Sequence, residues 1–117
     1  MKMLRLYSGT DGQSHFEDIE IELDLVYVAK CSALFATDSI QFGSVEGLEE
    51  LPWHTQESPV YIVILRGSME LEVGDGSKRI LSAVDILLSE DTTGQGHIAR
   101  SVNGGSWEFL IAPVKKD

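Results

Sequence analysis

The chain has 117 residues and a mass of 12.9 kDa, which fits a single domain spanning residues 1–117. Hydrophobic residues make up 43% and charged residues 24%, the balance of a packed globular protein and not of a disordered one. Nine Lys and Arg stand against nineteen Asp and Glu, so the formal net charge is -10. Because the cations are scattered, we expect binding neither to nucleic acid nor to an anionic membrane surface.

Two further features bear on the compartment. The longest apolar run, residues 60–65, is far too short to span a membrane, and no apolar run with a basic flank opens the chain as a signal peptide would. The single cysteine, Cys31, cannot form an internal disulfide and is expected to be a small buried residue. These features predict a soluble cytoplasmic protein.

The N-terminal half alternates between strand patterns and polar segments. Residues 3–7 predict an exposed strand, and residues 16–23 alternate apolar and acidic side chains as a strand with one wet face does. Residues 29–36 predict a turn or two of helix, and residues 45–51 predict an acidic loop. No stretch of a dozen residues holds a helical period.

The middle of the chain predicts a central strand. Residues 60–65 are apolar at every position and rich in β-branched side chains, which is typical of a strand covered on both faces. Residues 66–68, with Gly67, predict a tight turn into a second strand at residues 69–73.

Short strands continue to the C-terminus after a glycine-rich turn at residues 74–76. They are predicted at residues 78–81, 84–88, 97–102 and 106–114. Roughly eight or more strands in so short a chain favour an all-β fold that closes into a barrel or jelly roll, with an open sandwich as the alternative.

Two histidines flank the central strands. His54 precedes the apolar run, and His97 ends a polar loop at residues 89–96. If antiparallel strands bring the two imidazoles together inside a barrel, they could bind a metal, or one could act as base and the other as acid. The alternative is a pair of hydrogen-bonded histidines at the barrel rim.

Residues 53–102 resemble the small single-domain cupins. The stretch WHTQESPVYIVILRGSMELEV resembles their first motif, with His54 on its first histidine and Gly67 on its hairpin glycine. The stretch AVDILLSEDTTGQGHIARSV resembles the second motif, with Asp85 on its aspartate and His97 on its terminal histidine. The resemblance implies a cupin-type jelly-roll β-barrel.

The chain departs from the cupin metal motif at two of four positions. Gln56 stands where the second histidine is expected, and Val60 falls at or next to the expected glutamate. The resemblance implies a divalent transition metal such as Ni, Zn, Mn or Fe at His54, Gln56 and His97. Two imidazoles and an amide oxygen would hold such a metal less firmly than the full set.

Without a metal, the barrel still predicts an apolar pocket for a small molecule. Gln56 and Asp91 are candidate ligand contacts, although Asp91 could instead cap its loop through bonds to the backbone. The aromatic residues that could form the wall, or simply pack in the core, are Trp53, Tyr61, Trp107 and Phe109.

Two functions follow from these residues. The first is small-molecule binding by a single-domain cupin. The alternative is an enzyme in which His54 or His97 moves a proton on an apolar substrate, as in an isomerase, lyase or cyclase. Because small cupins often form homodimers, the strand at residues 3–7 is expected to add to the sheet of a second copy.

Overall fold

The computed structural model describes residues 1–116, which fold into strands joined by turns and loops. Within this range no segment is helical, and none is therefore a helix long and apolar enough to cross a membrane. The all-β prediction is confirmed. The strands are β1 (Lys2–Ser8), β2 (Ser14–Glu20), β3 (Asp24–Val26), β4 (Ala29–Cys31), β5 (Gln41–Val45), β6 (Leu51–His54), β7 (Val60–Glu72), β8 (Lys78–Ser82), β9 (Ile86–Glu90), β10 (His97–Ser101) and β11 (Trp107–Pro113).

The long strand β7 belongs to two sheets. Its first half pairs with β9 on one side and β11 on the other, which gives a first sheet in the order β2-β1-β9-β7-β11-β5. Its second half pairs with β8 and β10, which gives a second sheet in the order β8-β7-β10-β6. All of these pairs are antiparallel except β1 with β9. The two sheets form the jelly-roll barrel that the sequence predicts.

The core lies between these sheets. The first sheet contributes buried side chains such as Leu6 and Leu87, and the second contributes Leu71 and Leu81. The prediction that residues 60–65 form a central strand is confirmed, since β7 has neighbours on both sides along its length. Apolar burial of this kind supplies most of the free energy of folding.

The predicted hairpin at residues 66–68 is wrong, because β7 continues through them. Gly67 has φ +77°, and a Cβ there would collide with the carbonyl oxygen of Ser106. The pairing register with β11 shifts between Glu108 and Phe109, close to this point. Gly67 therefore allows β7 to bend and pass from the first sheet to the second, and the chain does not reverse here.

The predicted helix at residues 29–36 is also wrong. β4 pairs with β3 in a small two-stranded sheet of its own, joined by a turn in which Tyr27 has φ +57°. The backbone groups of residues 29–31 are thus taken up by a hairpin, and residues 32–36 form no helix either. Cys31 lies on this hairpin and is exposed, so the prediction that it is buried is wrong as well.

The expected partner edge at residues 3–7 does not exist. β1 pairs with β2 on one side and with β9 on the other, so neither edge of β1 is free for a second copy. The outer strand of this part of the first sheet is β2.

Candidate functional site

A cavity of about 160 Å³ lies between the two sheets. Most of its lining is apolar and includes two of the predicted wall aromatics, Trp107 and Phe109. The apolar lining residues are Val45, Leu51, Ile62, Met69, Leu71, Leu87, Ala99, Trp107, Phe109 and Ile111. Strands β5, β7, β9 and β11 contribute from the first sheet, and β6, β7 and β10 contribute from the second.

Four polar side chains complete the lining, and they belong to His54, Gln56, Ser89 and His97. None of the lining residues is Lys, Arg, Asp or Glu. His54 and His97 are register partners in the antiparallel pair of β6 and β10. Their ring centroids lie 4.3 Å apart, with the ring planes tilted by 58°. The structure therefore brings together the two imidazoles that the sequence singled out, on one cavity.

Asp91 lies behind His97, away from the cavity. Its side chain is fully buried, and its Oδ2 atom accepts hydrogen bonds from His97 Nδ1 at 2.6 Å and from Ser14 Oγ at 2.7 Å. Asp91 thus neither caps its loop nor reaches the barrel mouth, the two roles considered for it from the sequence. Because a carboxylate can only accept a hydrogen bond, the proton of the neutral His97 ring is placed on Nδ1. The Nε2 atom of His97 then carries the lone pair.

The ring of His54 is held in a similar way. Its Nδ1 atom lies 2.8 Å from the carbonyl oxygen of Pro52, which can only accept a hydrogen bond. The proton of a neutral His54 is therefore placed on Nδ1, and the lone pair is on Nε2. A histidine whose Nδ1 is fixed by an oxygen acceptor has a defined ring orientation and tautomer.

Gln56 is held beside the histidines by two contacts. Its backbone N–H donates to the carbonyl oxygen of Asp91 at 3.0 Å. Its side-chain oxygen accepts a hydrogen bond from Ser89 Oγ at 3.2 Å. Ser89 is itself buried, so the hydroxyl and the amide satisfy each other at the polar end of the cavity.

Trp53 and Tyr61 lie outside the cavity lining, and their predicted place in its wall is corrected. Trp53 neighbours His54 on β6, where successive side chains point to opposite faces, and it is 40% exposed. Tyr61 neighbours the lining residue Ile62, and its ring stacks on Phe35 with centroids 5.7 Å apart. The alternation of each strand is the physical reason in both cases.

The polar end does not fit a resident transition metal. Within residues 1–116, no group of three or more His, Cys, Asp and Glu side chains is arranged to hold one. The predicted set offers two imidazoles and the amide oxygen of Gln56, which is already bonded to Ser89. Since the neighbouring carboxylate of Asp91 is turned to His97 Nδ1, no acidic ligand completes the set.

Comparison with known proteins gives a likeness in fold. No family model and no curated protein matches the sequence. The crystal structure of a protein from Neisseria meningitidis has a TM-score of 0.51 and 20% identity, covering 65% of this chain and 74% of that one. A conserved protein of unknown function from Streptococcus pyogenes has a TM-score of 0.50 and 17% identity; the match covers 67% of this chain and 64%, less than two thirds, of that one.

A third solved structure is a candidate ethanolamine utilization protein from Salmonella typhimurium. It has a TM-score of 0.49 and 15% identity, and the match covers 100% of this chain and 98% of that chain. We draw no argument from a TM-score at this level. At the identities of the other two structures, the likeness concerns the fold alone.

Proposed function

We propose that this protein binds a small, mainly apolar molecule that carries one hydroxyl group, inside its cupin-like barrel. The observation that carries the proposal is the division of the cavity into a large apolar wall and one polar end formed by His54, Gln56, Ser89 and His97. Ligand pockets in proteins typically combine apolar walls with a few polar groups that orient the ligand.

The volume of the cavity sets the size of this molecule. An apolar cavity of about 150 Å³ in another protein holds benzene. The cavity here, at about 160 Å³, therefore suits a ring or a branched chain of similar size. Leu51, which is 43% exposed, and the half-buried His54 favour entry of the ligand from the side of β6.

The polar end favours a neutral ligand that donates a hydrogen bond. Neutral His54 and His97 each turn Nδ1 to a protein oxygen, which leaves Nε2 as the acceptor. A charged ligand would lose its hydration without meeting a charged side chain in the lining. A phenol or a small alcohol fits both conditions.

Phenol is the probe that tests this proposal, with toluene as the analogue that lacks the hydroxyl. We expect phenol to shift the methyl resonances of Leu71, Leu87 and Ala99 with a dissociation constant on the order of 1 mM, as suits so few atoms. Toluene should bind more weakly, because the polar end then lacks a partner.

Matched variants locate the binding. Ala99→Leu fills the cavity and should abolish the phenol shifts, whereas Ala33→Leu, at an exposed position, should leave them unchanged. His54→Ala should weaken the binding of phenol more than the binding of toluene. Shifts that persist in Ala99→Leu, or that are confined to the outer surface near Tyr61, would contradict the proposal.

A second candidate function is proton transfer, and the pair of Asp91 and His97 favours it. Their 2.6 Å contact is fully buried, so the carboxylate can balance the charge of an imidazolium when Nε2 of His97 takes a proton from a substrate. The same Nε2 atom can then return this proton to another atom of the same molecule, which restores neutral His97, and His54, 4.3 Å away between ring centroids, can accept a hydrogen bond from the substrate meanwhile. Such a transfer leaves the substrate with its atoms rearranged and no net change in composition, as an isomerase does.

Exchange of the α-hydrogens of cyclohexanone in D₂O tests this candidate. If His97 acts as a base, the protein should accelerate the exchange measured by NMR, and His97→Gln should remove the acceleration while phenol binding persists through His54. An exchange rate equal to that of buffer, or one unchanged in His97→Gln, would leave binding as the only function supported.

A further inference from the structure

The side-chain amide of Gln56 carries a hydrogen-bond donor that the protein does not use. Its oxygen accepts from Ser89 Oγ at 3.2 Å, and in residues 1–116 no atom accepts from its nitrogen, Nε2. Ser101 Oγ is the one buried side-chain polar atom in this range without a partner, so Gln56 Nε2 is accessible and not enclosed. Because Gln56 lines the cavity, its N–H₂ group is available to a molecule bound there.

Two contacts fix the direction of this amide. The backbone N–H of Gln56 donates to the carbonyl oxygen of Asp91 at 3.0 Å, which holds the start of the side chain. The hydroxyl of Ser89, on β9 of the first sheet, holds its oxygen. With Ser89 donating, the amide oxygen is the atom turned to β9, and Nε2 is the atom left for a ligand.

The polar end therefore offers two kinds of hydrogen-bonding group. Neutral His54 and His97 each present Nε2 as an acceptor, whereas Gln56 Nε2 can only donate. A hydroxyl group matches both kinds, because its proton can go to an imidazole while its oxygen accepts from the amide. An ether oxygen only accepts and an azole N–H only donates, so each of these groups leaves one kind unpaired.

We propose that Gln56 determines the specificity of the cavity for a hydroxyl group, by donating from Nε2 to the oxygen of the same hydroxyl that donates to a histidine. The inference rests on the proposed function and narrows its ligand to an alcohol or a phenol whose oxygen is free to accept. A site built to hydrogen-bond a hydroxyl rejects analogues that leave its polar groups unpaired, because each unpaired group loses its hydration without a replacement.

Four small aromatic ligands separate donation from acceptance. Phenol does both, pyrrole only donates, anisole only accepts and toluene does neither. Gln56→Met keeps the length of the side chain and removes its N–H groups. We expect this variant to raise the dissociation constants of phenol and anisole about 3- to 10-fold, and to change those of pyrrole and toluene less than about 2-fold. The methyl resonances of Leu71 and Leu87 report binding, and each ligand is compared with itself, so differences in ligand size cancel.

The chain offers a second variant and a matched control. Gln56→Met does not orphan Ser89, because Asp91 Oδ1 lies 3.4 Å from Ser89 Oγ and can accept in place of the amide. Gln56→Glu keeps an oxygen for Ser89 and replaces the N–H₂ group by a second oxygen, so it should weaken anisole and not pyrrole. Gln41→Met makes the same exchange at an exposed position of β5 outside the lining, and should leave all four constants unchanged.

The outcomes separate this inference from the proposed function. If phenol binds to the wild type and Gln56→Met leaves its dissociation constant unchanged, the proposed function stands and the role of Gln56 is overturned. Equal weakening of all four ligands would also overturn it, because Gln56 would then only shape the cavity. A wild type that does not bind phenol would overturn the proposed function and this inference together.

Discussion

Asp91 and His97 are six residues apart in the chain, and their Oδ2 and Nδ1 atoms lie 2.6 Å apart in the interior of the protein. The same carboxylate oxygen accepts a hydrogen bond from Ser14, which is 77 residues away on β2. One buried acceptor therefore fixes the orientation of a cavity histidine and ties it to the edge of the first sheet. Its removal should affect stability as well as binding.

For Asp91→Ala we expect the free energy of unfolding to fall by about 2–4 kcal/mol, because His97 Nδ1–H and Ser14 Oγ–H would both lose a buried partner. Asp91→Asn should cost less, since its amide oxygen can still accept one of the two bonds. Urea denaturation measures both values. The exposed control Asp38→Ala should stay within about 0.5 kcal/mol of wild type, and an equally small effect at Asp91 would contradict this account.

Gly96→Ala should disrupt the approach of β6 to β10. Gly96 has φ +79°, and a Cβ there would collide with the carbonyl oxygen of His54. We expect the free energy of unfolding to fall by at least about 3 kcal/mol, or the variant to fail to fold, because backbone atoms would have to move apart.

The control is Gly76→Ala, where φ is +88° and no atom lies within 4 Å of the new Cβ. Only the strain of the left-handed conformation remains there, which costs about 1 kcal/mol. Thermal denaturation of the two variants should separate collision from strain. Equal losses at both positions would show that contact with His54 is not what requires the glycine.

Arg100 should stabilise the outer face of the second sheet. Its guanidinium donates to Glu50, Glu70 and Glu72 at 2.8–2.9 Å, and these carboxylates raise its pKa. Arg100→Ala would leave three carboxylates close together, so we expect a loss of about 1–3 kcal/mol that shrinks in high salt.

Arg66→Ala is the control for Arg100, because Arg66 is 82% exposed and pairs with Glu108 alone among the described residues. The free energy of unfolding of Arg66→Ala should lie within about 0.5 kcal/mol of wild type. Chemical denaturation at two salt concentrations compares Arg66→Ala with Arg100→Ala. A loss at Arg100 that is independent of salt would indicate packing of its aliphatic stem instead of charge.

The pKa of Asp18 should lie below its ordinary value, because Arg79 donates two hydrogen bonds to the carboxylate at 2.8 and 3.0 Å. A carboxyl group with a lowered folded pKa stabilises the protein above its ordinary pKa, and this contribution disappears as pH falls through the folded pKa. NMR titration of Asp18 should therefore give a midpoint below the ordinary pKa of an aspartate in wild type and a higher midpoint in Arg79→Gln. Equal midpoints would contradict the pairing.

The sequence predicts the barrel and the pair of histidines because both depend on local patterns. Alternating side chains and glycine turns locate most of the strands from β7 to β11, and His54 and His97 stand next to strands that pair. The role of Asp91 is not local, because its partner Ser14 is on β2. The polar loop at residues 89–96, taken alone, favours a surface cap.

Two other features also depend on distant partners. The segment Arg66–Ser68 after six apolar residues predicts a turn, and only the passage of β7 between two sheets shows that Gly67 allows a bend instead. β5 was not predicted, and its Gly43 lies against the ring of Phe109, which leaves no space for a side chain. Neither contact is visible in the residues that surround the glycine.

The position of β7 in the chain has a consequence for synthesis. The strands that pair with it, β8 to β11, are all made after it, and β1, β5 and β6 each pair with one of these later strands. On the ribosome, only the local hairpins β1–β2 and β3–β4 can form before residue 60 emerges. We therefore expect the barrel to assemble after translation of β11, with the apolar residues of the first half exposed to chaperones until then.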